Sequence, residues 1–122
     1  EFSETVGFQI NGPSKSLIFI PDIDKWNKWD VDVLGTIKEN DYALLDGTFY
    51  NEGELPGRNM SEIPHPFIIE SIEYFKEIKD RVDINFIHFN HTNPLLDPAA
   101  EKRKKLKEEG YGATTLNQRF EL

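Results

Sequence analysis

The order of elements in this chain predicts a single α+β domain, a mixed β-sheet with helices packed on one face. Three observations carry that expectation. Two short alternating apolar runs lie either side of the turn Asn11-Gly12-Pro13-Ser14, the pattern of a hairpin. Two later apolar runs, at Asp41–Asp46 and Val82–Phe89, are separated by an amphipathic segment long enough to be a crossover helix. A 122-residue chain that is 38% hydrophobic and 12% aromatic can bury a core of its own.

The elements follow in order. Thr5 to Ile10 alternates as a half-buried strand does, and Ser16-Leu17-Ile18-Phe19-Ile20 supplies its partner. Pro21-Asp22-Ile23-Asp24 ends that strand, and Asp24 is placed to cap a helix carrying Trp26, Trp29, Val33 and Ile37. Asp41 to Asp46 is an apolar run closed by a carboxylate, as in an interior strand that delivers an acid to its C-terminal edge. The Gly- and Pro-containing stretch from Gly47 to Pro66 is longer than most loops of compact domains, which marks it as a candidate active-site loop. Ile68, Ile69, Ile72, Phe75 and Ile78 then give one apolar stripe over 67–79. After the strand Val82–Phe89, Asp97-Pro98 reads as the start of a helix running to Glu109, with Gly110 as its stop. The end of the chain, closing on Arg119-Phe120-Glu121-Leu122, reads as an edge strand.

Composition excludes several function classes. Fourteen basic against twenty-two acidic residues give a formal charge of −8, which repels phosphate backbones and provides no broad nucleic-acid surface. The cluster Lys102-Arg103-Lys104-Lys105 is interleaved with glutamates and reads as a solvated helix face. No apolar run approaches the ~20 residues that span a bilayer, and no signal-peptide pattern opens the chain, so a soluble, cytoplasmic protein without a membrane role is expected. The opening Glu1-Phe2-Ser3 lacks a methionine, which suggests a processed or cut chain. Without cysteine, any metal site must be built from histidine and carboxylate.

All three histidines fall in turns that follow or precede buried elements: His65 in Pro64-His65-Pro66, His88 and His91 in Ile87-His88-Phe89-Asn90-His91-Thr92-Asn93-Pro94. If the strands ending at Asp46 and His88 are parallel neighbours, a right-handed crossover places both side chains on one edge of the sheet. His65 would lie by the N-terminus of the intervening helix, whose unpaired amides could serve an anionic substrate group. A metal centre needs three or four ligands, so either His65 and His91 join Asp46 and His88, or a second polypeptide segment completes the set. Asp22 and Asp24 read chiefly as turn and capping residues, and as open contributors to that set.

The segments Phe-Ile-Pro-Asp, Leu-Leu-Asp-Gly-Thr-Phe-Tyr, Pro-His-Pro-Phe-Ile and Ile-His-Phe-Asn-His-Thr-Asn-Pro, in that order, resemble the C-terminal half of metallo-β-lactamase-fold hydrolases, and among them the branch of pyrroloquinoline-quinone biosynthesis protein B. The resemblance implies that residues 1–122 form half of an αββα sandwich whose metal ions, usually one or two zinc and in some cases manganese or iron, sit at the edge where two sheets meet. It implies a bridging role for Asp46, the last histidine ligand in His88, and in His65 the helix-start histidine that, in related phosphodiesterase-type members, protonates a leaving group or contacts phosphate. His91 stands where that branch commonly has asparagine, and is a further candidate ligand, a partner of a ligand or a substrate contact.

The family's H-x-H-x-D-H signature does not occur in the chain. The expected function is therefore that of a metal-dependent hydrolase fragment, inactive alone and with an incomplete zinc site. Its partner would be the missing N-terminal half or a second copy of itself, and its substrate a small molecule. Two alternatives are a cofactor-pathway protein of the biosynthesis branch and a non-catalytic interaction module.

Overall fold

The computed structural model describes residues 6–29, 32–54, 56–59 and 62–122. Strands β1 (Phe8–Asn11), β2 (Ser16–Ile20), β3 (Tyr42–Asp46), β4 (Asp83–Ile87) and β5 (Gly112–Ala113) form one sheet in sequential order. β1 and β2 are the expected antiparallel hairpin, and β2, β3, β4 and β5 run parallel. Helices α1 (Val33–Lys38), α2 (Ile68–Phe75) and α3 (Glu101–Glu108) fill the three crossovers. The C-terminal ends of three parallel strands therefore share one edge.

The core lies between the helices and one face of this sheet. Ile18, Ile20, Ala43, Leu45, Ile84 and Phe86 alternate onto that face and pack in one cluster with Val33 and Ile37 of α1, Ile68 and Phe75 of α2, and Leu106 of α3. Trp26 joins them, its ring edge-on to Phe75 and its indole N–H donating to the buried Ser71 hydroxyl at 2.7 Å. The opposite face is covered differently. Phe8 and Ile10 of β1 point there, opposite Phe19 and Leu17, and remain 57% and 48% exposed. The half-burial expected of β1 is thus not met among the described residues, where no helix packs on that side of it.

Other local expectations are corrected by the backbone. The stretch expected to be one helix from Asp24 is a short 3₁₀ turn at Trp26–Lys28 followed by α1, whose N-cap is Asp32, its carboxylate accepting from Gly35 N–H at 2.9 Å. Asp24 instead accepts from the adjacent Lys25 N–H. Asp97 opens a turn, with α3 starting at Glu101, while Gly110 ends that helix at φ +95 as expected. The edge strand is the two-residue β5, not Arg119–Leu122. Leu122 contributes its carbonyl, which accepts from Ser14 and Lys15 N–H in the hairpin turn. Arg103 does not belong to a free basic face, since its guanidinium donates to the Leu95 and Ala113 carbonyls and ties α3 to β5. Among the described residues no helix is long and apolar enough to cross a membrane.

Candidate metal centre

Asp46 is the last residue of β3 and is fully buried. Each carboxylate oxygen receives two donors. Oδ1 accepts from Thr48 N–H at 2.8 Å and from the Thr48 hydroxyl at 2.7 Å. Oδ2 accepts from Ile23 N–H at 2.9 Å and from His65 Nδ1 at 3.0 Å. Burial alone would hold the proton on this carboxyl, but the hydrogen bonds from His65, Thr48 and Ile23 outweigh it, so Asp46 titrates below its ordinary range and is an anion at neutral pH. The same hydrogen bond raises the pKa of His65 above its ordinary value against the opposing effect of burial, with the charges of Asp46, Asp22 and Asp24 adding to it.

The other groups reach this carboxylate through the two neighbouring strand ends. His88 follows β4 directly, and its Nδ1 lies 3.1 Å from the same Thr48 hydroxyl that contacts Asp46. The expected juxtaposition of Asp46 and His88 is therefore present, bridged by one oxygen atom. Asp22, just beyond β2, places a carboxylate oxygen 3.8 Å from His65 Nε2. Asp22 and His88 both adopt left-handed backbone, at φ +53 and +67, which turns each chain sharply off its strand. His91 is exposed in the turn beyond β4 and joins none of these contacts among the described residues.

The turns that carry the site are sewn to one another. Gly47 N–H donates to Ile87 carbonyl at 2.7 Å, and a Cβ on Gly47 would come within 2.9 Å of Phe86 Cβ and 3.0 Å of the Phe89 ring. Glycine is required by that approach rather than by its φ. The buried Asn93 side chain donates to Gly47 carbonyl at 2.7 Å and accepts from Leu95 N–H, joining the turn after β3 to the turn after β4. The long loop is anchored at its start by the Glu54 carboxylate, which accepts from Tyr50 and Asn51 N–H and from the Thr92 hydroxyl. His65 sits near the loop's end, its ring edge-on to Phe49. The amides at the start of α2 are not free for an anion, contrary to the expectation from sequence. Phe67 N–H donates to Glu70, Ile68 N–H to Phe49 carbonyl and Ile69 N–H to Tyr50 carbonyl.

Two carboxylates and an imidazole converge here: ligand atoms of Asp22, Asp46 and His65 all lie within 4.8 Å of one another. Carboxylate and imidazole donors suit zinc, manganese or iron, so the residues present fit a divalent metal. Sequence reasoning undervalued Asp22. Its place at this edge follows from β2 and β3 pairing in parallel, as β3 and β4 do, which no local feature of the turn after β2 reveals. It also missed Thr48, which reads locally as a turn residue after Asp-Gly.

No protein-family model matches the chain. Its fold is similar to a metallo-β-lactamase fold: a solved structure of that fold aligns with a TM-score of 0.68 over 90% of this chain, at 23% identity. That structure is Zn²⁺-bound PqqB from Methylobacterium extorquens, of which 41% of the chain is covered. In sequence, the chain is 27% identical over 117 residues to coenzyme PQQ synthesis protein B of Nitrosococcus oceani, covering 88% of this chain and 37% of that protein. The chain thus spans well under half the length of either relative.

Proposed function

We propose that this chain is the C-terminal part of a metal-dependent hydrolase with a metallo-β-lactamase fold, contributing Asp46 and His88 to a zinc centre and inactive without the rest of the protein. The observation that carries this reading is the buried, ionised Asp46 at a parallel strand edge, with two imidazoles gathered on it directly or through one hydroxyl. A bound divalent ion supplies Lewis acidity and a water acidified toward neutrality. The chain's own groups do the remainder. Asp46 provides a negative oxygen for the ion, and His88 an imidazole nitrogen. Asp22 is a further carboxylate within the same small volume. His65, whose protonated form is favoured by Asp46, donates a proton to a departing oxygen of an ester, amide or phosphodiester, a role worth about 10²- to 10⁴-fold in rate. His91 enters the proposal as an outlying ligand.

The partner is the remainder of the longer protein. Tyr42, Leu44 and Asp46 alternate onto the same face as Phe8 and Ile10, so a body covering those two exposed side chains also flanks the Asp46 edge. A second copy of this chain is the competing occupant.

The test is zinc retention by the chain alone and after co-expression with the upstream polypeptide, read by elemental analysis and by hydrolysis of an activated phosphodiester and an activated ester. We expect stoichiometric zinc and hydrolysis only in the reconstituted protein, both lost in Asp46→Asn and in His88→Ala, with a smaller loss of zinc in His91→Ala. Full zinc retention by Asp46→Asn would overturn the reading. The likeness to coenzyme PQQ synthesis protein B favours a second reading, a biosynthetic step on a quinone precursor. Oxygen consumption without hydrolysis in the same reconstituted protein would select it.

A further inference from the structure

The hydrogen bonds around Thr48 contain more information than a list of contacts, because a hydroxyl has one proton to give. Thr48 Oγ1 lies 2.7 Å from Asp46 Oδ1, 3.1 Å from His88 Nδ1 and 3.5 Å from His65 Nδ1, whose proton goes to the nearer Asp46 Oδ2 at 3.0 Å. Two oxygens at 2.7 Å need a proton between them. Asp46 cannot supply it: the carboxylate is already the acceptor for Ile23 N–H, Thr48 N–H and His65 Nδ1, a set of donors that holds it as an anion. The proton on that line is therefore the threonine's own. With its hydrogen spent on Asp46, Oγ1 can act toward either imidazole only as an acceptor, so Nδ1 of His88, 3.1 Å away, must carry a hydrogen.

We propose that Thr48 is a positioning residue for the metal centre: its hydroxyl, oriented by Asp46, fixes His88 in the Nδ1-protonated tautomer and leaves Nε2 as the bare nitrogen available for an ion. This inference rests on the metal reading only for what Nε2 is used for; the tautomer itself does not depend on a metal. The arrangement follows the general rule that an imidazole ligand is aimed by the hydrogen bond its other nitrogen makes. Here the aiming group is not a carboxylate directly but a carboxylate acting through a hydroxyl. His88 needs such help more than His65 does. It is exposed at the first position beyond β4, in left-handed backbone, with no other hydrogen bond among the described residues to hold its ring. Thr48 is itself fixed by Asn90 N–H and the Asn93 amide on its carbonyl, so the hydroxyl is held rigidly enough to select one tautomer.

The test uses the whole chain, labelled with nitrogen-15 histidine and free of metal, at about pH 8, where an ordinary imidazole is neutral. Long-range proton–nitrogen correlation reads which nitrogen of His88 is protonated, and zinc chloride titration of the chain reconstituted with the upstream polypeptide reads affinity. We expect His88 in the Nδ1-protonated form, reverting in Thr48→Val to the mixture of an unconstrained imidazole and restored in Thr48→Ser. Zinc affinity should fall about 10- to 100-fold in Thr48→Val and recover in Thr48→Ser. A wild-type His88 protonated on Nε2, or one unchanged by Thr48→Val, overturns the proposal. The wild-type spectrum and Thr48→Ser decide the matter even if the valine variant does not fold. Absence of zinc binding in the reconstituted wild type, with the expected tautomer present in the chain, overturns the metal reading and supports the hydrogen-bond assignment.

Discussion

Two aspartates bracket β3, and they could hardly differ more. Asp41, just before the strand, is exposed; one carboxylate oxygen accepts from Ser16 N–H at 2.9 Å and fastens β2 to β3. Asp46, the strand's last residue, is fully buried and accepts from four donor groups on three residues, Ile23, Thr48 and His65, from separate places in the chain. The parallel sheet explains the difference. At the edge containing Asp41 the neighbouring groups are lysines, an arginine and further acids lining an open polar depression of about 470 Å³. At the edge containing Asp46, three successive strands end together and their loops fold back over it. The same residue type is a surface staple at one end and the centre of a charged, enclosed cluster at the other.

The largest effect should separate these two ends. Asp46→Ala leaves His65, Thr48 and Ile23 N–H without their acceptor, and we expect a loss of about 3 to 5 kcal/mol in urea unfolding, against about 1 kcal/mol or less for Asp41→Ala. Equal costs would abolish the distinction. A smaller effect concerns pH in the metal-free chain. Because the folded pKa of Asp46 is lowered, its contribution is present above the ordinary 3.8 and is lost as pH falls through the folded value. Because that of His65 is raised, its contribution is present below the ordinary 6.5 and is lost as pH rises through the folded value. Thermal stability should therefore peak between those two ordinary values. His65→Gln should remove the alkaline decline, and calorimetry across that range checks it. The smallest expected change is Phe8→Ser. With the side chain 57% exposed, unfolding of the chain alone should move by about 0.5 kcal/mol or less, whereas association with the remainder of the protein, read by sedimentation, should be lost.

Much of this arrangement was legible before any coordinates. The apolar runs ending at Asp46 and at His88, with an amphipathic stretch between them, were enough to place both residues on one edge, because crossover handedness is nearly invariant. What escaped depended on pairing between distant segments or on backbone detail. Asp22 looked like a turn residue since nothing local shows that β2 runs parallel to β3. Thr48 was hidden by its neighbours, as a hydroxyl two residues after an aspartate ordinarily serves that aspartate's own turn. The free amides expected at the start of α2 were already taken by Glu70 and by the Phe49 and Tyr50 carbonyls, a non-local fact. β1 alternates like a half-buried strand, and the exposure of Phe8 and Ile10 reflects what is packed on it rather than how it is spelled.

The left-handed residues beyond β2 and β4 carry a consequence for anyone altering this edge. Asp22 and His88 occupy a conformation that asparagine, aspartate and histidine tolerate and that β-branched side chains resist. A saturation library at position 88, selected only for folding, should thus return glycine and asparagine beside histidine and discard valine, isoleucine and threonine. The choice of amino acid there is narrowed by handedness first, and chemistry selects only from what remains.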